Sequence, residues 1–429
     1  MRTAKLPRWL SSARSSAPWI WAALPAALCA SSLGACKWSE FDDLEHETWV
    51  GSTEKPDVAS SDYGVAIQRG ARSGDGGTLV VIGAGQPTYS RLVYSAQGDS
   101  SLASGSLELN AQYGIGTLEP QPILLADPTG DDVSLVINSG ANSIAVLTGG
   151  AQVNLHQVFV TPSTVSAATY MQPPPRTDAA HLGEAQPVQP LVGSGDLVLG
   201  TFYANVPTPQ PTCKLTEAAA GIDIRALGTV RDGAVDDVLA WGAGGKLYKY
   251  PGSVFNGCDT IQPLAPPIDT GFSPGPGSQI LALFGSLVVL QGHHDSDDDS
   301  FLQVYDVATM TAVGGPVSLP KLRTAAIFTS GATTYVIAGY PTAAVDGKTS
   351  AGQVLLFKTA ETTGLAAQPA VTLNDAQPES SESFGRAVVA MPFNGAEVVA
   401  VAADNEIFVY FQLELADGTM LYEETREGR

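Results

Sequence analysis

Tyr335-Val336-Ile337-Ala338-Gly339-Tyr340-Pro341, then Val354-Leu355-Leu356-Phe357, then Phe384-Gly385-Arg386-Ala387-Val388, set the pattern for the whole chain. Each is a short apolar run, rich in β-branched and aromatic residues, with glycine or proline within it or close by. Such runs read as β-strands bounded by turns. The pattern recurs along the chain. An aromatic-Gly pair opens Tyr63-Gly64-Val65-Ala66-Ile67 and Tyr113-Gly114-Ile115-Gly116 as it opens Phe384–Val388. Apolar runs ending in small residues include Leu79–Gly85, Leu197–Gly200 and Val238–Gly244. A third type ends in an aromatic residue: Leu247-Tyr248-Lys249-Tyr250, Leu302-Gln303-Val304-Tyr305 and Ile407-Phe408-Val409-Tyr410.

Between residues 62 and 429 no segment shows sustained helical periodicity. The 45 glycines and 29 prolines fall largely between the apolar runs. The chain therefore reads as all-β. The triplets of runs make about seven units, with first strands expected near residues 63, 113, 181, 221, 279, 324 and 384. The mean spacing is about 50 residues, the period of a β-propeller blade. One blade cannot bury both of its faces, whereas a ring of blades supplies each with two neighbours. An eight-bladed propeller and a pair of β-sandwiches are the rival architectures. Two segments compete to complete the last blade: Trp49-Val50, and a hairpin at Ala416-Asp417-Gly418-Thr419 leading into Met420-Leu421-Tyr422.

The ordered series resembles the FG-GAP repeats of integrin α-chain propellers and their bacterial relatives. Phe384-Gly385 matches the Phe-Gly element. Gly83-Ala84-Gly85-Gln86-Pro87, Gly242-Ala243-Gly244 and Gly339-Tyr340-Pro341 stand where Gly-Ala-Pro is expected. The resemblance implies a propeller that binds other macromolecules, with calcium held in some of its turns.

Residues 1–35 read as a signal peptide. Arg2, Lys5, Arg8 and Arg14 form a basic start, Ala17–Ala30 an apolar centre, and Leu33-Gly34-Ala35-Cys36 a small-residue cleavage site. The tetrad resembles the lipobox of bacterial lipoproteins, which implies cleavage before Cys36 and acylation of that residue. The apolar centre is shorter than the roughly 20 residues a spanning helix needs. An uncleaved anchor and cleavage without lipid are the alternatives. Lys37 follows the cysteine; by the same resemblance this favours the outer membrane, with the protein on its periplasmic or its surface side. Residues 36–61 are polar and acidic and read as a tether, leaving 62–429 as the propeller.

Cys29 departs with the signal peptide and Cys36 carries lipid, so Cys213 and Cys258 remain. In an oxidising compartment two cysteines suggest a disulfide; two buried thiols are the alternative. Neither has a Cys or His at ligand spacing, which speaks against a metal. The net charge of −21 becomes more negative once the basic signal peptide is removed. Such a surface repels phosphate backbones, so nucleic acid is disfavoured as a partner. The reading is of a monomer.

Candidate metal ligands occur in three places. Calcium needs six to eight oxygens, so a turn must concentrate carboxylates. Asp127, Asp131 and Asp132 form one contracted group; Asp232, Asp236 and Asp237 form another, with Thr229 and Arg231 where early ligands belong. Tight glycine-containing turns are the plainer reading of both. His293, His294, Asp295 and Asp297 sit in the densest polar cluster, between two apolar runs. A solvated loop that protects a sheet edge is its plainer reading. No other cofactor is indicated. Catalytic grammar is sparse: no nucleophile elbow, no zincin helix and no phosphate-binding glycine motif occurs.

The sequence thus points to a membrane-anchored lipoprotein whose propeller binds a protein or glycan without catalysis, as in adhesion. The proline-rich segments 170–176 and 206–212 are the expected binding loops, because stiff loops lose little entropy on docking. A polysaccharide-cleaving enzyme and a periplasmic assembly scaffold are the alternatives on the same fold.

Overall fold

The computed structural model describes residues 50–54, 63–69, 77–83, 88–97, 104–114, 123–126, 133–137, 143–149, 153–160, 165–171, 189–200, 212–217, 220–412 and 421–423, the span from 220 being interrupted at 233–234, 253–259, 276, 293–299, 331, 376, 394–395 and 405. These residues form seven sheets of four to six strands, antiparallel apart from one parallel pairing.

β1 (Val50–Glu54) comes first in the chain but belongs to the last sheet. The first sheet is β2 (Tyr63–Arg69), β3 (Gly77–Gly83), β4 (Thr88–Gln97) and β5 (Ser104–Gly114). The second is β6 (Ile123–Ala126), β7 (Val133–Ile137), β8 (Ser143–Gly149) and β9 (Val153–Val160). The third is β10 (Val165–Met171), β11 (Gln189–Ser194), β12 (Leu197–Gly200) and β13 (Thr212–Glu217), extended by β14 (Ala220–Gly221). The fourth is β15 (Ile224–Asp232), β16 (Val235–Gly242), β17 (Lys246–Tyr250) and, after β18 (Thr260–Ile261), β19 (Ile268–Asp269). The fifth is β20 (Gln279–Ala282), β21 (Leu287–Gly292), β22 (Phe301–Asp306) and β23 (Thr311–Ser318). The sixth is β24 (Thr324–Ser330), β25 (Thr333–Tyr340), β26 (Gln353–Ala360), β27 (Gly364–Leu365) and β28 (Val371–Leu373). The seventh is β29 (Ala387–Phe393), β30 (Ala396–Ala402) and β31 (Glu406–Gln412), completed by β1 and by β32 (Leu421–Glu423).

The first strands of successive sheets, β2, β6, β10, β15, β20, β24 and β29, lie beside one another in order, and β29 returns to β2. The ring is closed. Both segments expected to compete for the last sheet join it. β1 pairs with β31 over Val50↔Tyr410 to Glu54↔Glu406, whereas β32 adds only Tyr410↔Glu423 and Gln412↔Leu421. Among the described residues the first strand starts at Val50, within residues 36–61.

Stacking explains the continuous apolar runs. A strand packed on both faces has no polar side to alternate with. Every residue of β21 is buried. Val288 and Leu290 pack with Leu239 and Trp241 of the fourth sheet, while Leu287 and Val289 pack with Val336 and Ala338 of the sixth. β30 repeats the rule: Val399 and Val401 meet Ile337 and Leu356, and Val398, Ala400 and Ala402 share a core with Ile67 of the first sheet. That last core seals the ring. Outer strands face water, and β23 is exposed at most of its positions.

Several expected unit starts are corrected. Tyr113-Gly114 ends β5, the outer strand of the first sheet, and the second sheet begins at Ile123. The third begins at Val165; position 181 lies outside the described residues. Leu197–Gly200 is the third strand of its sheet rather than the second. Cys213 lies in β13, the fourth strand of the third sheet.

Candidate functional site

Adjacent strands run antiparallel, so the loops divide between two ends of the ring. Turns joining first to second and third to fourth strands lie at one end, the hairpin end. Turns joining second to third strands, and connections between sheets, lie at the other, the connection end. A strand of six residues separates the ends by about 20 Å.

Asp232 ends β15, at the hairpin end. Asp127, Asp131, Asp132, His293, His294, Asp295 and Asp297 lie outside the described residues.

The 229–237 segment is described in part. β15 and β16 pair down to Asp232↔Val235, a tight hairpin. Asp236 and Asp237 are consecutive strand residues and point to opposite faces. Asp236 accepts from Arg231 Nη1 at 3.0 Å. The buried Asp237 accepts the Gly252 N–H at 3.1 Å and stands 3.1 Å from Lys249 Nζ. Thr229 donates to the Tyr170 carbonyl at 3.0 Å, tying two inner strands together. Cations and amides of the chain itself occupy these carboxylates. No group of three or more His, Cys, Asp or Glu suited to a metal occurs among the described residues.

The connection end carries three clusters that sequence reasoning missed. Between the third and fourth sheets, the Glu217 carboxylate accepts from Tyr248 Oη at 2.7 Å and from Lys246 Nζ at 2.8 Å. The hydrogen bonds from Lys246 and Tyr248 hold Glu217 below the usual carboxylate range. Burial, then the bond to Glu217, pushes the Tyr248 phenol well above its ordinary value. Beside them β18 crosses back to the third sheet and pairs parallel with β13, Lys214↔Thr260 and Leu215↔Ile261. Thr216 donates to the Ile261 carbonyl and accepts from Gln262.

Between the fifth and sixth sheets stands Gln291. It is 0% exposed, and neither its amide oxygen nor its amide nitrogen has a partner. Its cross-strand neighbour is Gln279, whose amide oxygen accepts the Ala325 N–H at 3.4 Å. The polar residue ending the run Leu287-Val288-Val289-Leu290-Gln291 was the available signal.

Between the sixth and seventh sheets the connection 374–386 carries two carboxylates held by backbone amides. Glu382 accepts the Glu379 N–H at 3.0 Å and Asp375 accepts the Gln377 N–H at 3.1 Å. Arg386 pairs with Asp404 at 2.7 Å. Nothing in the sequence spacing pointed to this contact.

A closed ring of seven radially stacked, four-stranded sheets defines a β-propeller. The crystal structure of BBS1N in complex with ARL6DN, soaked with mercury, has this fold: the TM-score is 0.52 at 11% identity, over 85% of this chain and 96% of that one. No family model matches the chain, and no curated protein matches its sequence.

Proposed function

We propose that this chain is an outer-membrane lipoprotein, anchored through Cys36, whose propeller presents its connection end to a protein or glycan partner and acts by binding. The observation that carries the reading is where the chain enters the ring. Val50 pairs with Tyr410 near the end of β31, so the polypeptide arrives at the hairpin end. Thirteen residues, 37–49, separate Cys36 from Val50 in the sequence. Acylated Cys36 would therefore hold the hairpin end toward the bilayer and leave the connection end facing away. The strands that lead into the proline-rich segments, β10 and β12, end at the hairpin end too. Those segments lie largely outside the described residues.

The relationship to FG-GAP repeats remains part of this proposal. It is supported by Phe384, fully buried in the sixth–seventh seam, and by Gly385, whose φ of +85° suits the crossing it makes. The same holds for a Cys213–Cys258 bridge. Cys213 is buried and disulfide-bonded, Cys258 lies outside the described residues, and the paired residues Lys214 and Thr260 follow the two cysteines closely. Such a bridge would fasten the fourth sheet's strap to the third sheet, worth about 2–4 kcal/mol. Peptide mapping without reduction reads it directly.

The anchoring test is membrane fractionation of wild type and Cys36→Ser with a C-terminal tag. The proposal expects wild type in the membrane fraction and the variant released; retention of both would refute it. Protease shaving of intact cells then separates the partners. Loss of the tag, with a periplasmic marker intact, supports an extracellular ligand. Protection favours a periplasmic scaffold.

A further inference from the structure

Among the described residues, the outermost strands at the rim of the ring are of two kinds. The third, fourth, sixth and seventh sheets end in short pieces: β14, β18, β19 and β27 have two residues each, β28 and β32 three, and β1 five. The first, second and fifth sheets end in long strands, β5 with eleven residues and β9 and β23 with eight each. Each long strand carries extra residues that its inner neighbour lacks. Arg91↔Ala111 is followed by Leu92↔Leu109, so Asn110 is extra in β5. Val146↔Gln157 is followed by Leu147↔Leu155, so His156 is extra in β9. Between Leu302↔Val317 and Val304↔Val313, Gln303 alone stands opposite Gly314, Gly315 and Pro316 of β23. The short pieces β1, β18, β19 and β28 pair without such a break.

The fifth sheet shows how such a break is held. Gln303, 4% exposed, donates its amide nitrogen to the carbonyls of Val313 and Gly314, each at 3.2 Å. Gly314 takes left-handed backbone, with φ at +70°, and a methyl group there would stand 2.3 Å from the Thr363 carbonyl oxygen in the turn between β26 and β27. The bulge is therefore gripped from its own sheet and from the next. It divides the outer strand into Thr311–Val313 and Val317–Ser318. Pro316 adds a position with no N–H to offer, and proline in sheets belongs to edges and bulges. β23 has no charged residue, and most of its positions are exposed. A regular edge of that kind templates pairing with another chain, and a bulge that twists the edge away prevents it.

We propose that the bulges of β5, β9 and β23 are edge guards, which stop the rim of the ring from pairing strand to strand with a second copy of this chain. Two copies of one edge can meet antiparallel about a two-fold axis, so a long regular outer strand is its own complement. The short outer pieces hold too few hydrogen-bonding groups for this. The long ones are made irregular instead. The guards act whether or not the chain is anchored to a membrane, and they leave the two ends of the ring for specific contacts.

The test removes the extra residues from the full chain carrying Cys36→Ser, so that no acyl chain contributes, and follows molar mass by light scattering as concentration rises. Deleting His156 restores regular pairing in the second sheet, deleting Asn110 in the first, and deleting Gly314 with Pro316 in the fifth. With all bulges in place the mass should stay at that of one chain. Each deletion should raise it toward about twofold, as pairing about a two-fold axis requires. Gln303→Val with Pro316→Val keeps the chain length, unpins the bulge and replaces any deletion that does not fold. Amide exchange locates the contact: in β23 of the fifth-sheet variants it should slow as concentration rises. The mass of one chain for every folded variant would overturn the proposal. So would slowing of exchange in β23 with all bulges in place, since the guarded edge would then already pair.

Discussion

Gly339 and Gly385 touch backbone to backbone across the sixth–seventh seam: a methyl group on Gly339 would stand 2.1 Å from the Gly385 carbonyl oxygen. Gly352 is as tight, its missing methyl 2.0 Å from the Phe384 oxygen, with φ at +94°. These glycines let one sheet's connection cross directly over the next. Alanine at either position must push the two sheets apart. Gly339→Ala and Gly352→Ala should each cost about 2–4 kcal/mol in denaturant unfolding. Gly315→Ala, where nothing lies within 4 Å, serves as the control and should stay within about 0.5 kcal/mol of wild type.

Gln291 gives a prediction of opposite sign. A fully buried amide with no partner costs about 1–3 kcal/mol. Gln291→Met keeps the volume and removes both unpaired atoms. The melting temperature should rise by several degrees. A fall would show that a polar molecule satisfies this amide in solution.

The Glu217 cluster predicts acid sensitivity. A carboxylate held below its ordinary value adds stability above that value, and the contribution is lost as pH falls through the lowered one. Below about pH 4.5 wild type should therefore lose stability more steeply than Glu217→Gln. Tyr248→Phe removes the 2.7 Å bond and should cost about 1 kcal/mol at neutral pH, read by chemical denaturation.

Ring closure is testable by truncation. Removing residues through Trp49 leaves β1 intact and should leave the melting temperature unchanged. Removal through Glu54 takes away a five-residue register on β31 and exposes its edge. That form should melt lower and aggregate, since an unpaired strand edge templates further pairing.

How much of this was legible in the sequence follows from what each element depends on. Val288-Val289-Leu290 and Val398-Val399-Ala400-Val401 were readable because burial on both faces leaves no polar position. The sevenfold repeat was readable because every sheet solves the same stacking problem. Tyr113-Gly114 misled because an aromatic-Gly pair does not say which edge of a sheet it serves. β18 could not be foreseen: two residues carry no periodicity, and their partner, Lys214–Leu215, lies far back in the chain. Asp236 and Asp237 illustrate a signal left unused, since neighbours in a strand point apart and cannot jointly hold one ion. The pairing of Arg386 with Asp404 depends on how a loop folds over two sheets, which side-chain patterning does not encode.

The central claim is that the propeller is anchored by its hairpin end and faces outward with its connection end. The most direct measurement is fluorescence quenching in vesicles carrying nitroxide-headgroup lipid, using the acylated protein labelled at Ala308→Cys or at Lys348→Cys. Both positions are exposed; Ala308 lies in a hairpin-end turn and Lys348 in a connection-end turn. The account predicts strong quenching at position 308 and little at 348. Quenching at 348 with none at 308 would contradict it.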